Sequence, residues 1–185
     1  MAPQGLVAAR PSVSTHAIDA APAAGRDVVA LFDLHGPGLY RLACAMLHDP
    51  DSAQDVVQDT FVKLIDHLGS GGRLSNAKGW LFTVCAHACR DRQRRAWRWL
   101  PWSAEVDRRP SPDAPDIGDT REAVLRGLRA IGARDRLLVA LRAQGLSYQE
   151  IADAARIRPA SVGRLLARAL ERLARALGPD EELQS

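Results

Sequence analysis

The segment from Ser147 to Leu177, SYQEIADAARIRPASVGRLLARALERLARAL, decides the fold because it encodes two helices separated by a short turn. Ser147 and Glu150 have the spacing of a capping box, in which each side chain satisfies a backbone amide at a helix start. Pro159 suits the first position of the next helix, where a missing amide proton costs no hydrogen bond. The pattern predicts a short helix, a turn at residues 156–158 and a long final helix.

The predicted final helix has two opposed faces. Its apolar residues recur at helical spacing and form one face: Val162, Leu165, Leu166, Ala169, Leu173 and Leu177. Its arginines follow one another at steps of four, four and three on another face: Arg164, Arg168, Arg172 and Arg175. An arginine stripe alone is often only a solvated surface, but after a capped helix and a short turn it indicates a recognition helix for the major groove of DNA.

The composition favours an all-α protein. Hydrophobic residues make up 46% of the 185 residues and aromatic residues only 5%, with abundant Ala, Leu and Arg. The net charge is only +3, so the position of the charges is more informative than their sum. The chain has no apolar run long enough to cross a membrane. An odd number of cysteines in apolar helical patterns indicates a reducing compartment, and we expect the cytoplasm.

Two helix-rich blocks are predicted, with a proline-rich linker between them. The N-terminal block covers residues 27–100 and the C-terminal block residues 119–178. Residues 101–118 contain prolines and little apolar pattern, so we expect a flexible linker that lets the blocks bind separate sites. Residues 1–26 and 179–185 are expected to be tails, of which the first is disordered.

The N-terminal block is predicted to contain a first helical segment, a helix over 51–68 and a helix over 76–97. The sequence Gly36-Pro37-Gly38 leaves open whether the first segment is one long helix or a broken pair. The second helix is expected to bury its apolar residues: Ala53, Val56, Val57, Phe61, Leu64, Ile65 and Leu68. The third helix ends in a run of arginines followed by tryptophans, a combination that suits unpaired nucleic acid.

Cys85, His87 and Cys89 have the residue types of a metal site but not its geometry. On a helix, residues 85 and 89 share a face while residue 87 points elsewhere, so one helix cannot chelate with all three. We therefore expect no metal and two buried thiols. The chain also has no glycine motif for cradling phosphate, and its histidines lack partners at catalytic spacing, so an enzyme is not expected.

Three stretches occur in an informative order: DSAQDVVQDTFVKL at 51–64, NAKGWLFTV at 76–84 continued by RDRQRR at 90–95, and LSYQEIA at 146–152 followed by Ser161 and Val162. These stretches resemble, in turn, the polymerase-binding helix of region two, the segment that captures and melts the −10 element, and region four, which reads the −35 element. The family they resemble is the bacterial extracytoplasmic-function (ECF) RNA polymerase sigma factors.

The resemblance implies a non-enzymatic protein of two small helical domains without a cofactor. Its partners would be core RNA polymerase, promoter DNA and an anti-sigma factor. The matching positions imply polymerase contacts by Asp55, Gln58 and Asp59, −10 contacts by Asn76, Lys78, His87, Arg90 and Arg94, and −35 contacts by Arg158, Ser161, Arg164 and Arg168. The family usually has glycine at the turn position of Arg156, and a side chain in a left-handed conformation costs roughly 1 kcal/mol or more.

Two alternatives remain open at this point. One is a stand-alone regulator that binds duplex DNA as a dimer through the C-terminal helices. The other is an interaction protein that resembles a sigma factor and binds polymerase or an inhibitor, but whose altered recognition helix no longer reads DNA.

Overall fold

All regular structure in residues 16–99 and 119–178, which the computed structural model describes, is α-helical, as predicted. The N-terminal block contains α1 (His16–Leu47), α2 (Pro50–Gly69) and α3 (Ala77–Trp99). The C-terminal block contains α4 (Asp119–Ala130), α5 (Ala133–Ala143), α6 (Tyr148–Ala155) and α7 (Pro159–Leu177). Each of these helices is too short or too polar to span a lipid bilayer. The predicted linker at 101–118 lies outside the described residues.

Helix α1 is one continuous helix, which settles the alternative that its sequence left open. It begins at His16, earlier than the predicted start of the block, in an alanine-rich segment with high helix propensity. The glycine at position 38 serves close packing. A Cβ atom there would lie 2.8 Å from Oε1 of Gln144 and 3.1 Å from the ring of Phe82.

Helix α2 begins and packs largely as its sequence predicts. Asp49 is its N-cap and accepts a hydrogen bond from the Ser52 amide at 3.1 Å. Ile65 was expected in the core, but its side chain is 53% exposed. The neighbouring Leu64 is fully buried in the core, and one step along a helix turns Ile65 about 100° away from it, toward solvent.

The helix-turn-helix has the capping box and the proline start that its sequence predicts. Between α6 and α7, Arg156 adopts a left-handed conformation, with φ 55° and ψ 51°. Helix α4 was not predicted. It packs on α7, and Gly127 permits this, because a Cβ atom there would lie 2.7 Å from Leu177. The buried Arg136 donates to the carbonyl oxygens of Leu128 at 2.7 Å and Ile131 at 2.9 Å, at the end of α4.

The two blocks share one continuous hydrophobic core. Leu39 and Met46 of α1 and Leu138 and Leu141 of α5 are all buried in it. Helix α3 also packs on α6. The sequence suggested two separately placed blocks, whereas the structure has them packed directly against each other.

Replacing Ser147 with alanine is expected to lower the free energy of unfolding by about 1 kcal/mol. The reason is that the Ser147 hydroxyl accepts from the Glu150 amide, and the Glu150 carboxylate accepts from the Ser147 amide at 2.7 Å. Urea denaturation followed by circular dichroism measures the change. Gln149→Ala, which removes only an exposed hydrogen bond to Asp153 on the same helix, is the control and should change the free energy by less than about 0.5 kcal/mol. Equal losses in both variants would contradict the capping argument.

Candidate nucleic-acid interface

Helix α7 directs its arginines outward. Val162, Leu166 and Ala169 are buried, while Arg164 and Arg168 are exposed. Leu177 was predicted to lie on the apolar face, but it is 44% exposed at the last turn of the helix. Of the other two residues predicted to meet duplex DNA, Arg158 is exposed at the N-cap of α7 and Ser161 is half-buried in its first turn. The N-terminal end of α7 therefore presents cationic and hydroxyl groups together on the protein surface, an arrangement that suits phosphates and base edges.

Farther along the same stripe, Arg172 is engaged within the protein. Its guanidinium donates to the Asp135 carboxylate of α5. Asp135 is largely covered, with a side chain that is 13% exposed. This ion pair ties the middle of α7 to α5. Arg164 and Arg168, in the first half of the stripe, form no ion pair with another described residue.

The α3 face comprises Asn76, which directly precedes α3, and four residues of the helix itself: Lys78, His87, Arg90 and Arg94. These five residues were predicted to lie near the −10 strand. Four of these five side chains bond to the C-terminal block. Asn76 donates to Glu150 Oε1 at 2.7 Å, Lys78 Nζ donates to the Gly145 carbonyl at 3.4 Å, and His87 Nε2 accepts from Arg156 Nε at 3.2 Å. Helix α6 and the residues that flank it thus half-bury Lys78, His87 and Arg90, whereas Asn76 and Arg94 stay exposed.

Arg90 makes the most extensive of these contacts. Its Nη2 donates to the Ala154 carbonyl at 2.6 Å and its Nη1 to the Ala155 carbonyl at 3.1 Å. These are the last carbonyl groups of α6, where a helix carries partial negative charge and lacks backbone partners. A residue of the N-terminal block therefore caps a helix of the C-terminal block.

Arg94, the fifth residue of the α3 face, forms an ion pair with Asp91 within its own helix. Arg90, Arg94 and Arg156 border a groove of about 470 Å³ along the junction of the two blocks. Asp91 is the carboxylate among the lining residues. Burial, followed by the nearby Arg156 charge, lowers the pKa of Arg90, so the packing of the two blocks holds like charges close together.

The environment of His87 disfavours its charged form. Burial lowers the pKa of His87, and the positive charges of Arg156, Arg90 and Lys63 lower it further, while Asp91 opposes them. A neutral imidazole can accept the hydrogen bond from Arg156, whereas an imidazolium cannot. The contact is therefore favourable at neutral pH and is lost in acid.

The pKa of His87 is expected to lie below 6.5 in the native chain and to rise in Arg156→Gly, which removes one charge and some of the burial. The native contact binds fewer protons than the separated blocks, so its stability falls as pH drops below about 6.5. Ring-proton NMR titration, with His87→Gln to assign the signal, measures both values. An unchanged pKa in Arg156→Gly would show that Arg156 does not act on this ring.

The acidic strip on α2 is a separate surface. Asp55, Gln58 and Asp59, the residues predicted to bind polymerase, are all exposed. Asp55 is bonded to Arg92 of α3 at 2.9 Å, an exposed ion pair of modest energy. The strip continues into exposed Val62 and Ile65. Sequence periodicity placed Ile65 in the core and so missed its contribution to this surface.

The two cysteines of α3 are buried, as expected from their spacing. A hydrogen bond with Cys85, followed by burial, raises the pKa of the Cys89 thiol. A buried thiol with a raised pKa holds its proton and is a poor metal ligand or nucleophile. The described residues contain no group of three or more His, Cys, Asp or Glu side chains placed to hold a metal ion.

Several residues at the junction of the blocks were not singled out from the sequence as contacts. Arg41 of α1 donates to Gln144 Oε1 at 3.1 Å, and Arg136 of α5 donates to Nε2 of His48. Of these residues, Arg156 is the one whose position was already unusual in the sequence, because glycine is usual at that position of the turn. We call all of these contacts between the blocks, together with those of the α3 face, the block interface.

Comparisons with known proteins bear on these surfaces. The family model for Sigma-70 region 2 matches residues 31–98. The chain is 33% identical over 151 residues to the ECF RNA polymerase sigma factor SigM of Mycobacterium tuberculosis, spanning 80% of this chain and 76% of SigM. It is 28% identical to the RNA polymerase sigma factor CarQ of Myxococcus xanthus, spanning 80% of this chain and 87% of CarQ.

Two solved structures have a similar fold. One is the sigma factor RpoE in complex with the anti-sigma factor NepR from Bartonella quintana, with a TM-score of 0.64 and 26% identity over 84% of this chain and 99% of RpoE. The other is CnrH in complex with the cytosolic domain of CnrY, with a TM-score of 0.60 and 26% identity over 89% of this chain and 97% of CnrH.

Proposed function

Because the chain belongs to the ECF RNA polymerase sigma factors, we propose that it binds core RNA polymerase, recognises −35 and −10 promoter elements and promotes strand opening for initiation. In this proposal the N-terminal block is region two, the C-terminal block is region four and residues 101–118 link them. The protein acts without catalysis of its own, in the cytoplasm where polymerase works.

The observation that carries the proposal is the orientation of α7. Val162, Leu166 and Ala169 of its apolar stripe are buried and its N-terminal arginines are exposed, behind a capped α6 and a short turn. This is the geometry in which a recognition helix enters the major groove. Arg158, Ser161, Arg164 and Arg168 are the proposed −35 contacts, and the α3 face is the proposed −10 contact surface.

The acidic strip supports a separate contact with polymerase. Asp55, Gln58 and Asp59 lie on α2, on a surface distinct from the arginines of α7, so one chain can bind enzyme and template together. Electrostatic complementarity then predicts a basic surface on the enzyme. An anti-sigma factor is a further proposed partner, because both similar structures include a second protein and one of these is named as an anti-sigma factor.

Run-off transcription with purified core polymerase and genomic DNA fragments tests the proposal. We expect initiation at defined start points that requires this chain. Activity that the core enzyme shows equally without the chain would refute it. Binding of the chain to palindromic duplexes in the absence of polymerase, with no transcription, would favour a dimeric regulator. Binding to polymerase without start-site selection would favour an interaction protein.

A further inference from the structure

We propose that the block interface binds a small phosphorylated molecule, a nucleotide with two or more phosphate groups, whose phosphates lie among arginines and whose ring lies against apolar side chains. The site consists of two adjoining grooves, of about 470 and 410 Å³, bordered by α3, the start of α5 and the end of α6. Both volumes are in the range of small-molecule sites, about 300–1,000 Å³. The inference goes beyond the proposed function, because it adds a ligand that is neither polymerase nor promoter DNA.

The first groove has an excess of positive charge. Arg90, Arg94 and Arg156 border it, and the carboxylate of Asp91 is already paired with Arg94. Within the described ranges, Arg90 and Arg156 form no ion pair. The two guanidinium groups therefore repel each other without a counter-charge of their own. An anion between them would remove this repulsion, and the planar fork of a guanidinium matches the oxygens of a phosphate.

Both guanidinium groups are held in place and still have donors to offer. Arg90 uses its two Nη atoms on the carbonyl oxygens of Ala154 and Ala155, and Arg156 directs Nε to His87 at 3.2 Å. Each guanidinium has five N–H donors, so these bonds leave others for a ligand. Because the side chains are already fixed, little of their conformational entropy is lost when a phosphate binds.

The second groove adds apolar surface and a further cation. It shares Arg90 and Arg156 with the first groove, so the two are continuous. Among its lining residues, Ala133 is exposed and Ile157 is half-buried, which leaves apolar atoms open to a ligand. Arg134 is exposed at the same groove. A planar ring can lie against apolar atoms and guanidinium planes there, while the phosphates extend into the first groove.

The start of α5 supports the same class of ligand, in addition to the arginines. Ala133 is the first residue of α5 and borders both grooves. Its N-cap, Gly132, has no side chain to bond the free amides of the first turn, and such amides favour phosphate oxygens. The one acidic residue of this turn is Asp135, whose charge is offset by the ion pair with Arg172.

The nucleotide would share Arg90 and Arg94 with the −10 strand. Ligand and strand would then exclude each other, a consequence that rests on the proposed function. Arg134, Arg156 and Ile157 lie outside the α3 face and outside the proposed −35 contacts. Substitutions at these positions therefore test the nucleotide site separately from promoter recognition.

Isothermal titration calorimetry of the full chain with ATP, in metal-free buffer at about 150 mM salt, tests the proposal. We expect one saturable site with a dissociation constant below about 1 mM. Inorganic triphosphate should bind about fivefold more weakly, because it lacks the ring, and adenosine should not bind measurably, because it lacks the charge. Absence of saturable ATP binding would overturn the proposal. Equal affinities for ATP and triphosphate would overturn the role of the second groove.

Arg134→Ala is the primary variant, because in the described residues Arg134 has no ion pair to lose. We expect unchanged helicity and about tenfold weaker binding of ATP. Arg156→Gly should weaken binding similarly, and it also relieves the left-handed backbone. The matched control is Arg126→Ala, which removes the same charge from an exposed position on α4 and should change the affinity by less than about twofold. Equal losses in Arg134→Ala and Arg126→Ala would show that only total charge matters, and no site would remain.

The ring of His87 reports whether ATP occupies the first groove. Burial and then the charges of Arg156, Arg90 and Lys63 lower the pKa of His87, while Asp91 opposes them. Phosphates bound beside Arg156 would add negative charge, so saturating ATP is expected to raise the pKa of His87 in a ring-proton NMR titration. An unchanged pKa with ATP bound would place the ligand elsewhere and refute the assignment. Run-off transcription measures neither ATP affinity nor this pKa, so the proposed function and the nucleotide site can fail independently.

Discussion

Replacing Arg164 and Arg168 together with alanine is expected to lower run-off transcription about thirtyfold or more, because each lost contact to a base or phosphate costs about 1–3 kcal/mol. Both side chains are exposed on the first half of α7, away from its buried stripe. Their removal therefore leaves the packing of the C-terminal block intact. Run-off assays at fixed salt measure the change.

The matched control for this variant is Arg126→Ala with Arg129→Ala on α4. Both side chains are exposed and the change in net charge is the same. Transcription should fall by less than about twofold, since surface substitutions away from a site have small effects. A similar fall in both double variants would mean that total charge, and not the face of α7, determines activity. The proposed −35 contact would then be wrong.

Reversing the charge of Asp59 with arginine is expected to weaken binding to core polymerase about tenfold or more, because an attractive interaction becomes a repulsive one. Asp59 is exposed on α2, next to Gln58 and close to the apolar surface of Val62. Fluorescence anisotropy of labelled chain titrated with core enzyme measures the affinity. Asp59 was chosen over Asp55 because Asp55 already shares its carboxylate with Arg92.

Glu122→Arg provides the matched charge reversal, on an exposed carboxylate in the C-terminal block. It should leave the affinity for core polymerase within about twofold of the native value. If Asp59→Arg binds polymerase as well as the native chain does, the polymerase contact does not involve the acidic strip of α2. In that case the implied roles of Asp55 and Gln58 would need to be reassigned.

Structural features that depend on a few neighbouring residues could be predicted from the sequence. The capping box of Ser147 and Glu150, the helix start at Pro159 and the opposed faces of α7 all depend on local backbone geometry and helical spacing. The same local rules placed the two cysteines of α3 in the core. These elements were sufficient to identify the helix-turn-helix and its exposed arginines.

Contacts between distant parts of the chain could not be predicted in this way. Periodicity indicates which face of a helix is apolar but not which element packs on it. It therefore placed Ile65 in the core, although that side chain is 53% exposed. It also missed the packing of α6 on α3. Arg90 bonds to Ala154 and Ala155 at the end of α6, which are separated from it by 64 and 65 positions in the sequence. Neither segment, taken alone, predicts this contact. Arg156 stood out in the sequence only because its position in the turn favours glycine.

The outward orientation of α7 has a consequence for how the chain can bind duplex DNA. Arg164 and Arg168 stay exposed to solvent while α6 packs on α3. Cationic side chains of this kind hold duplex DNA through its phosphates without reading sequence, and they permit sliding along it. The arginines proposed to bind duplex DNA are therefore accessible in the same arrangement in which Arg90 is bonded to the end of α6.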